Sequence, residues 1–375
     1  MTTPQSGLHL VELPDPPLRG GGAMLDVLAA QIPAYTDVLV AGGRGGFPTP
    51  IVLGACGIGR VTATADDVFG VRSGDVVVAS GLFRSGRLAQ PEEALLAWTG
   101  IGGAGRATPT IERIREVWRD GLYAERAVQP ERTLIALPGA DAYPAPERLA
   151  YLPWLGIAAE AIDRASVRAG QVVAVVGATG QLGAAAVLVA LARGAAAVVA
   201  VGRDRDSLAA LAGLDARVLT VPLSGDRATD GSAIAAAAGP VDAVVDTLGA
   251  VPSPGPTMAG YDALRPDGSW VLVGGVRQDL PIPYGDFMHR RLTLRGSWIC
   301  RDATILDVWS MVRGGVLDLS ALDITVVGLD DPTAALTAAS RSHGLGVVVL
   351  VPGASPTSSR GRRSRGSRRT RRDGR

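Results

Sequence analysis

The most legible chemistry in this sequence lies in three glycines, Gly177, Gly180 and Gly183, spaced by threes between an apolar β-branched run and a long Ala/Leu/Val stretch. A turn that opens straight into a helix offers free backbone N–H groups and a positive dipole end, both suited to a pyrophosphate. The glycines differ in what they permit. Gly177 allows the tight turn, Gly180 lets backbone approach phosphate, and Gly183 lets helix pack close to strand. Gln181 and Leu182 complete the turn that would meet the pyrophosphate. A second apolar run ends at Val201, so residues 172–205 read as one strand, turn, helix, strand unit. The glycine spacing is weak by itself, but with both flanks correct it points to a dinucleotide.

The end of the second strand indicates which dinucleotide. Units that bind NAD place Asp or Glu there for the ribose hydroxyls. Here Gly202 stands at that point, followed by Arg203 and Arg205. Loss of the carboxylate removes repulsion of a 2′-phosphate, and a guanidinium pairs well with one. NADPH is therefore the expected cofactor, with Asp204 turned inward onto a ribose as the alternative that would favour NADH.

The elements that position this unit follow from length and composition. With 375 residues, 47% apolar and 19% charged, the chain can build two domains with substantial cores. No apolar run reaches membrane-spanning length without Gly, Arg or Asp inside it, and the opening residues lack the basic and apolar regions of a signal peptide. A cytoplasmic location is expected. The two cysteines, Cys56 and Cys300, and the three histidines show no metal-ligand spacing, so a Cys/His zinc cage is not expected. All 37 basic residues are Arg, a compositional bias. Nine of them, with one Asp, lie in residues 354–375, giving that tail +8 against +1 for the whole chain and leaving −7 elsewhere. Such a tail cannot bury a core and is expected to be disordered. It has basic residues for phosphate contacts but no aromatics for base stacking, so no nucleic-acid partner is expected.

Residues 1–50 read as short strands and turns, and residues 51–80 as a compact β-barrel-like region with Val76–Ala79 as a core strand. A helix is expected over 111–119, a mobile glycine loop over 100–105, and a returning strand over 121–130. The Pro-rich segment 137–146 reads as a linker, and a helix over 147–166 leads into the glycine unit. Strands at 216–221, 243–245, 269–274 and 292–296 then alternate with helices, for example at 207–211 and 304–313, in the manner of a doubly wound sheet. The strand at 347–351 is expected to pair back with the first domain.

In this order the chain resembles the medium-chain dehydrogenase/reductase superfamily over residues 8–352. The matching pieces are VLGACGIGRV at 52–61, SGDVV at 73–77, GLYAE at 121–125, the glycine unit, VDAVVDTLG at 241–249, VLVGG at 271–275 and LRGSW at 294–298. The resemblance implies an α/β fold: a doubly wound parallel (Rossmann) sheet domain plus a mainly β, GroES-like catalytic domain. The implied division is 1–146 for the catalytic domain, 147–318 for the dinucleotide domain, 319–353 returning to the catalytic domain, and 354–375 as tail. It also implies Thr247, Leu248, Val273 and Gly274 near the cofactor, and a homodimer formed through the strand at 292–298.

At the family's catalytic-zinc positions this sequence has Ala34, Ala55-Cys56 and Trp154, and the four-cysteine structural lobe is missing. The remaining pattern resembles the zinc-free quinone oxidoreductase and enone reductase branch. Without a Lewis acid, conjugate reduction asks less than ketone reduction, because charge spreads into an enolate that ordinary donors can hold. Thr36, at the family's proton-relay position, and Tyr35 beside it are the candidate donors. Each has a structural alternative, Thr36 as a turn cap and Tyr35 as a wall. Trp154 and Cys56 are expected to line the substrate cleft. Two other functions remain open on sequence: an NADP-linked alcohol dehydrogenase or ketoreductase of a biosynthetic pathway, and a non-catalytic NADPH-binding redox sensor.

Overall fold

The computed structural model describes residues 1, 3, 6–43, 48–86, 91–98 and 108–354. The glycine loop at 100–105 and the Arg-rich tail from 355 onward lie outside the described residues.

The first sheet is organised around β1 (Gly22–Ile32), a single 11-residue strand. Short strands were expected here, but the pairing explains the length. β2 (Gly57–Thr64) runs along one edge of β1, while β6 (Arg126–Pro130) takes one half of the other edge. β3 (Val76–Ala79) and β7 (Leu134–Ala136) extend the sheet beyond β2. A small ladder, β4 (Leu82–Arg84) with β5 (Glu93–Leu95), stands apart. The helices here are short, α1 (Thr36–Val40) and α2 (Pro109–Val117). The strand expected over 121–130 begins only at Arg126, because residues 121–123 instead hydrogen-bond to residues 52–54. The segment at 137–146 is not a free linker. Leu137 and Ala140 are buried, and the Trp309 indole N–H donates to the Pro138 carbonyl at 3.1 Å.

The helix expected over 147–166 is two helices, α3 (Pro146–Leu149) and α4 (Leu152–Arg164). Pro153 near the start of α4 explains the break, since proline lacks an N–H and fits only a first helical turn. There follow β8 (Val172–Val176), α5 (Gln181–Ala192), β9 (Ala197–Gly202), α6 (Arg205–Ala212), β10 (Val218–Pro222), α7 (Arg227–Ala238), β11 (Val241–Asp246), α8 (Gly255–Ala263), β12 (Leu264–Leu272), α9 (Tyr284–His289), β13 (Thr293–Gly296) and α10 (Asp302–Arg313). The six strands form a wholly parallel sheet in the order β10-β9-β8-β11-β12-β13. Strand order reverses between β8 and β11, and the crevice beyond the carboxyl ends there is where such sheets bind ligands.

β14 (Asp323–Val327), α11 (Pro332–Ser340) and β15 (Gly346–Leu350) return to the first sheet. β15 fills the remaining edge of β1, pairing Ala30 with Leu350, as the sequence suggested. One buried cluster runs from Ala29 and Ile58 through Tyr151, just before α4, and Leu155 within it to Val173 and Val175 of β8, so the two sheets share a core. Among the described residues, no helix is long and apolar enough to cross a membrane.

Candidate active site

The glycine turn joins β8 to α5, and its three glycines differ in what surrounds them. Gly177 has φ +89°, a left-handed backbone that disfavours side chains, and an added Cβ would sit 2.9 Å from Thr247 Oγ1. At Gly183 an added Cβ would lie 2.2 Å from the Gly177 carbonyl oxygen. That is the close helix packing expected of it. At Gly180 the same atom would meet only the Gly177 oxygen, at 3.4 Å. Packing within the protein therefore does not demand glycine at Gly180, whereas close approach of a phosphate does. Among the described residues no side chain caps the N-terminus of α5. An open cradle and an uncapped helix end fit the pyrophosphate of a dinucleotide.

Gln181 departs from expectation. Its side chain is 6% exposed and fully engaged, accepting from the Ala34 N–H at 3.4 Å and donating to Ser342 Oγ at 3.1 Å and to the Gly346 carbonyl at 3.0 Å. It staples the turn to both segments of the first domain, so only its backbone faces the cradle. Leu182 packs partly into the shared core. Gly202 is buried, and its missing Cβ leaves room for Thr179, whose Cγ2 would stand 2.4 Å from that atom. Arg203 and Arg205 are exposed at the end of β9. Asp204 between them caps α6, its carboxylate accepting from the Ser207 N–H at 2.7 Å, and this bond holds its pKa below the ordinary value. His343, not anticipated, reaches the same place from the C-terminal segment, 2.7 Å from Ser207 Oγ.

The other expected cofactor residues border the crevice. Thr247 Oγ1 donates to the Val176 carbonyl at 2.9 Å, and the N–H groups of Val273 and Gly274 both donate to the Asp246 carbonyl at 3.0 Å. Gly274 is required, because an added Cβ would lie 2.1 Å from the Leu248 oxygen. Asp246, at the carboxyl end of β11, is 2% exposed, and burial pushes its carboxyl up to about 6.

Next to the glycine turn, a cleft opens between the domains. Tyr35, Cys56 and Trp154 line it. Tyr35 packs edge-on against Trp98, with ring centroids 5.6 Å apart, and lies 6.4 Å from Trp154. Thr36 is not on the wall. It is wholly buried and donates to the Pro33 carbonyl at 2.6 Å, so of its two sequence readings the turn cap is the geometry observed. Burial pushes the Cys56 thiol up to about 12, which keeps it protonated, and Cys300 is pushed to the same value. Sequence reasoning missed Gln31, Ser80, Trp98 and Cys300 on this wall. A signal existed for Gln31 alone, a lone amide in the apolar run LAAQIP.

Residues 21–139 match the family model of the alcohol dehydrogenase GroES-like domain, and residues 182–314 match that of the zinc-binding dehydrogenases. Comparison with curated protein sequences finds no significant match. Among solved structures, an alcohol dehydrogenase from Thermus sp. ATN1 is similar with a TM-score of 0.77 at 20% identity, over 94% of this chain and 98% of that one. The 2R,3R-butanediol dehydrogenase of Bacillus subtilis gives 0.74 at 19%, over 93% and 97%. A Sinorhizobium meliloti 1021 protein described as a zinc-binding dehydrogenase and solved with NADP gives 0.73 at 20%, over 93% and 97%. At these identities the likeness speaks to fold.

The family description raises zinc, and the side chains here can be tested against it. The matching positions carry methyl groups at Ala34 and Ala55 and an indole at Trp154, and the thiol of Cys56 beside Ala55 is kept protonated by burial. Among the described residues no three His, Cys, Asp or Glu converge to hold an ion. This donor set does not fit a catalytic zinc. The nucleotide cradle, by contrast, fits a nicotinamide dinucleotide. The two family models follow one another along the chain as its two sheets do, and the chain belongs to the medium-chain dehydrogenase/reductase superfamily of oxidoreductases.

Proposed function

We propose that the protein is an NADPH-dependent oxidoreductase that reduces a quinone or an α,β-unsaturated carbonyl compound without a metal. The observation that carries this reading is the cleft itself. It abuts the nucleotide turn through the Ala34–Gln181 hydrogen bond, and its walls are apolar and aromatic, with Pro33, Tyr35, Trp98 and Ile157 beside Trp154, which stands at a position where the resemblance puts a zinc ligand. The nicotinamide, when bound, supplies a hydride. The chain's residues orient an apolar substrate and exclude water from it. Hydride addition at the β-carbon leaves charge on an enolate oxygen, which hydrogen-bond donors can stabilise without a Lewis acid. In this reading Tyr35 on the cleft wall is the proton donor.

The preference for NADPH rests on Asp204. Its carboxylate is committed to capping α6, leaving Arg203 and Arg205 to receive a 2′-phosphate. We further propose a cytoplasmic homodimer formed along β13, where Leu294 and the nearby Trp298 are 36% and 40% exposed. Light scattering that returned a monomer mass would remove that element.

NADPH oxidation is the test, with enones and quinones set against saturated ketones, with and without chelator. Turnover confined to saturated ketones favours an NADP-linked alcohol dehydrogenase or ketoreductase instead. The alcohol and butanediol dehydrogenases among the similar folds support keeping that second reading. Loss of activity with chelator would restore zinc.

A further inference from the structure

The cleft holds polar groups that the fold does not use. Gln31 is 1% exposed, and neither its Oε1 nor its Nε2 meets a hydrogen-bond partner among the described residues. Ser80 Oγ is likewise buried without a partner among them. Orphaned buried amides are rare, because each lost bond to water has to be replaced, so such a group points to a ligand.

Strand register shows why these groups face the same space. β1, β2 and β3 run antiparallel, with Ala30 opposite Gly57 and Gly57 opposite Ala79. One position further along, Gln31, Cys56 and Ser80 stand abreast on neighbouring chains, which in a sheet lie roughly 4.8 Å apart. All three line the cleft. The Gln31 backbone is fixed as well, its carbonyl accepting from the Tyr123 phenol at 3.0 Å. Among the described residues no Asp, Glu, Arg or His lines the cleft. The described lining therefore suits an uncharged occupant with a hydrogen-bonding group at the Gln31 end.

We infer that Gln31 and Ser80 are the substrate anchor: the Gln31 amide N–H and the Ser80 hydroxyl donate to the carbonyl oxygen of a neutral, otherwise apolar substrate held between Tyr35, Trp98 and Trp154. This deepens the reading above and rests on it for the reaction. A carbonyl oxygen has two lone pairs, and two donors from the same sheet satisfy both. As hydride reaches the β-carbon, charge moves onto that oxygen and both bonds strengthen, so the anchor acts on turnover as well as on binding.

The test separates binding from reaction. Protein saturated with NADP⁺, which cannot reduce the ligand, is titrated with cyclohex-2-enone and with the hydrocarbon 1-methylcyclohexene, following the fluorescence of the cleft tryptophans. The wild type should prefer the ketone. Gln31→Met, nearly isosteric, should cut ketone affinity about tenfold and leave hydrocarbon affinity unchanged, and Ser80→Ala should do the same to a smaller degree. A wild type with no preference for the ketone, or variants that keep it within twofold, would overturn the anchor. Gln31-dependent ketone binding without NADPH turnover would instead overturn the enone reductase reading and leave the anchor standing. If Gln31→Met does not fold, Ser80→Ala decides.

Discussion

The glycine turn and the cleft beside it, the nucleotide end and the substrate end of the proposed site, are built on opposite plans. The nucleotide end is made of backbone from one continuous stretch, residues 177–183, where absent side chains are the functional feature. The substrate end is made of side chains gathered from segments scattered between Gln31 and Ile305. A backbone site tolerates almost no change of residue at its tightest points, yet it recognises only what dinucleotides share. A side-chain site can be rewritten position by position, which is how Ala34 and Trp154 can stand where metal ligands stand in zinc enzymes of the family.

The sharpest break of this contrast lies within the turn. Gly183→Ala should cost about 3 kcal/mol or more, or prevent folding, because its Cβ would meet the Gly177 oxygen at 2.2 Å. Gly180→Ala should leave the melting temperature within about 1 °C and weaken NADPH roughly tenfold, since its Cβ meets protein only at 3.4 Å and otherwise fills the cradle. Calorimetry and cofactor titration on the two variants check this. Equal destabilisation of both would mean that the turn is purely structural.

Asp246 tests the same end through pH. Its carboxyl is raised from 3.8 to about 6 by burial, so the folded protein holds a proton that the unfolded chain releases between those values. The contribution to stability is therefore full below about pH 4 and lost as pH rises through about 6. Asp246→Asn keeps the Oδ1 acceptor for the Leu248 N–H, 2.9 Å away, and removes the charge. It should be more stable than wild type at pH 7.5 by about 2–3 kcal/mol, with the gain vanishing near pH 4. A gain independent of pH would show that the wild-type carboxyl is not the cause.

On the proposed reading Arg203 acts by charge where the glycines act by absence. Arg203→Ala should weaken NADPH about tenfold to a hundredfold and leave NADH nearly unchanged, as read by isothermal titration. An equal loss for both cofactors would remove the 2′-phosphate from its role.

Legibility in sequence follows the same division. The nucleotide unit can be read because its strand, turn and helix are contiguous and glycine spacing reports backbone geometry directly. The carboxyl ends of β11 and β12 can be placed only through the resemblance. The Gln181 side chain escapes a local reading because its staple to Ser342 and Gly346 spans the two domains, and no local pattern announces such a contact. Thr36 stands where expected along the chain, but its hydroxyl turns to Pro33, a matter of rotamer rather than spacing. The long β1 is hidden from sequence because its length depends on β6 and β15, which arrive from far along the chain to share one edge. Trp98 and Ser80 carry no signal, since their meaning comes only from the Tyr35 ring and the Gln31 amide that the fold brings to the same wall.

The smallest expected effect separates a side chain that lines the substrate end from one that reacts there. Cys56 stands between Gln31 and Ser80 in the sheet and faces the cleft, so its position alone would suit a nucleophile. Burial decides otherwise: with its thiol pushed up to about 12, almost no thiolate exists at neutral pH. Cys56→Ala should then change kcat/KM for an enone by less than about threefold, and iodoacetamide at pH 8 should inactivate the wild type no faster than the variant. Rapid, Cys56-dependent inactivation would show that the thiol ionises in the cleft. In that event the row of Gln31, Cys56 and Ser80 would carry a reactive centre between its two hydrogen-bonding groups, and the substrate end would have chemistry beyond orientation.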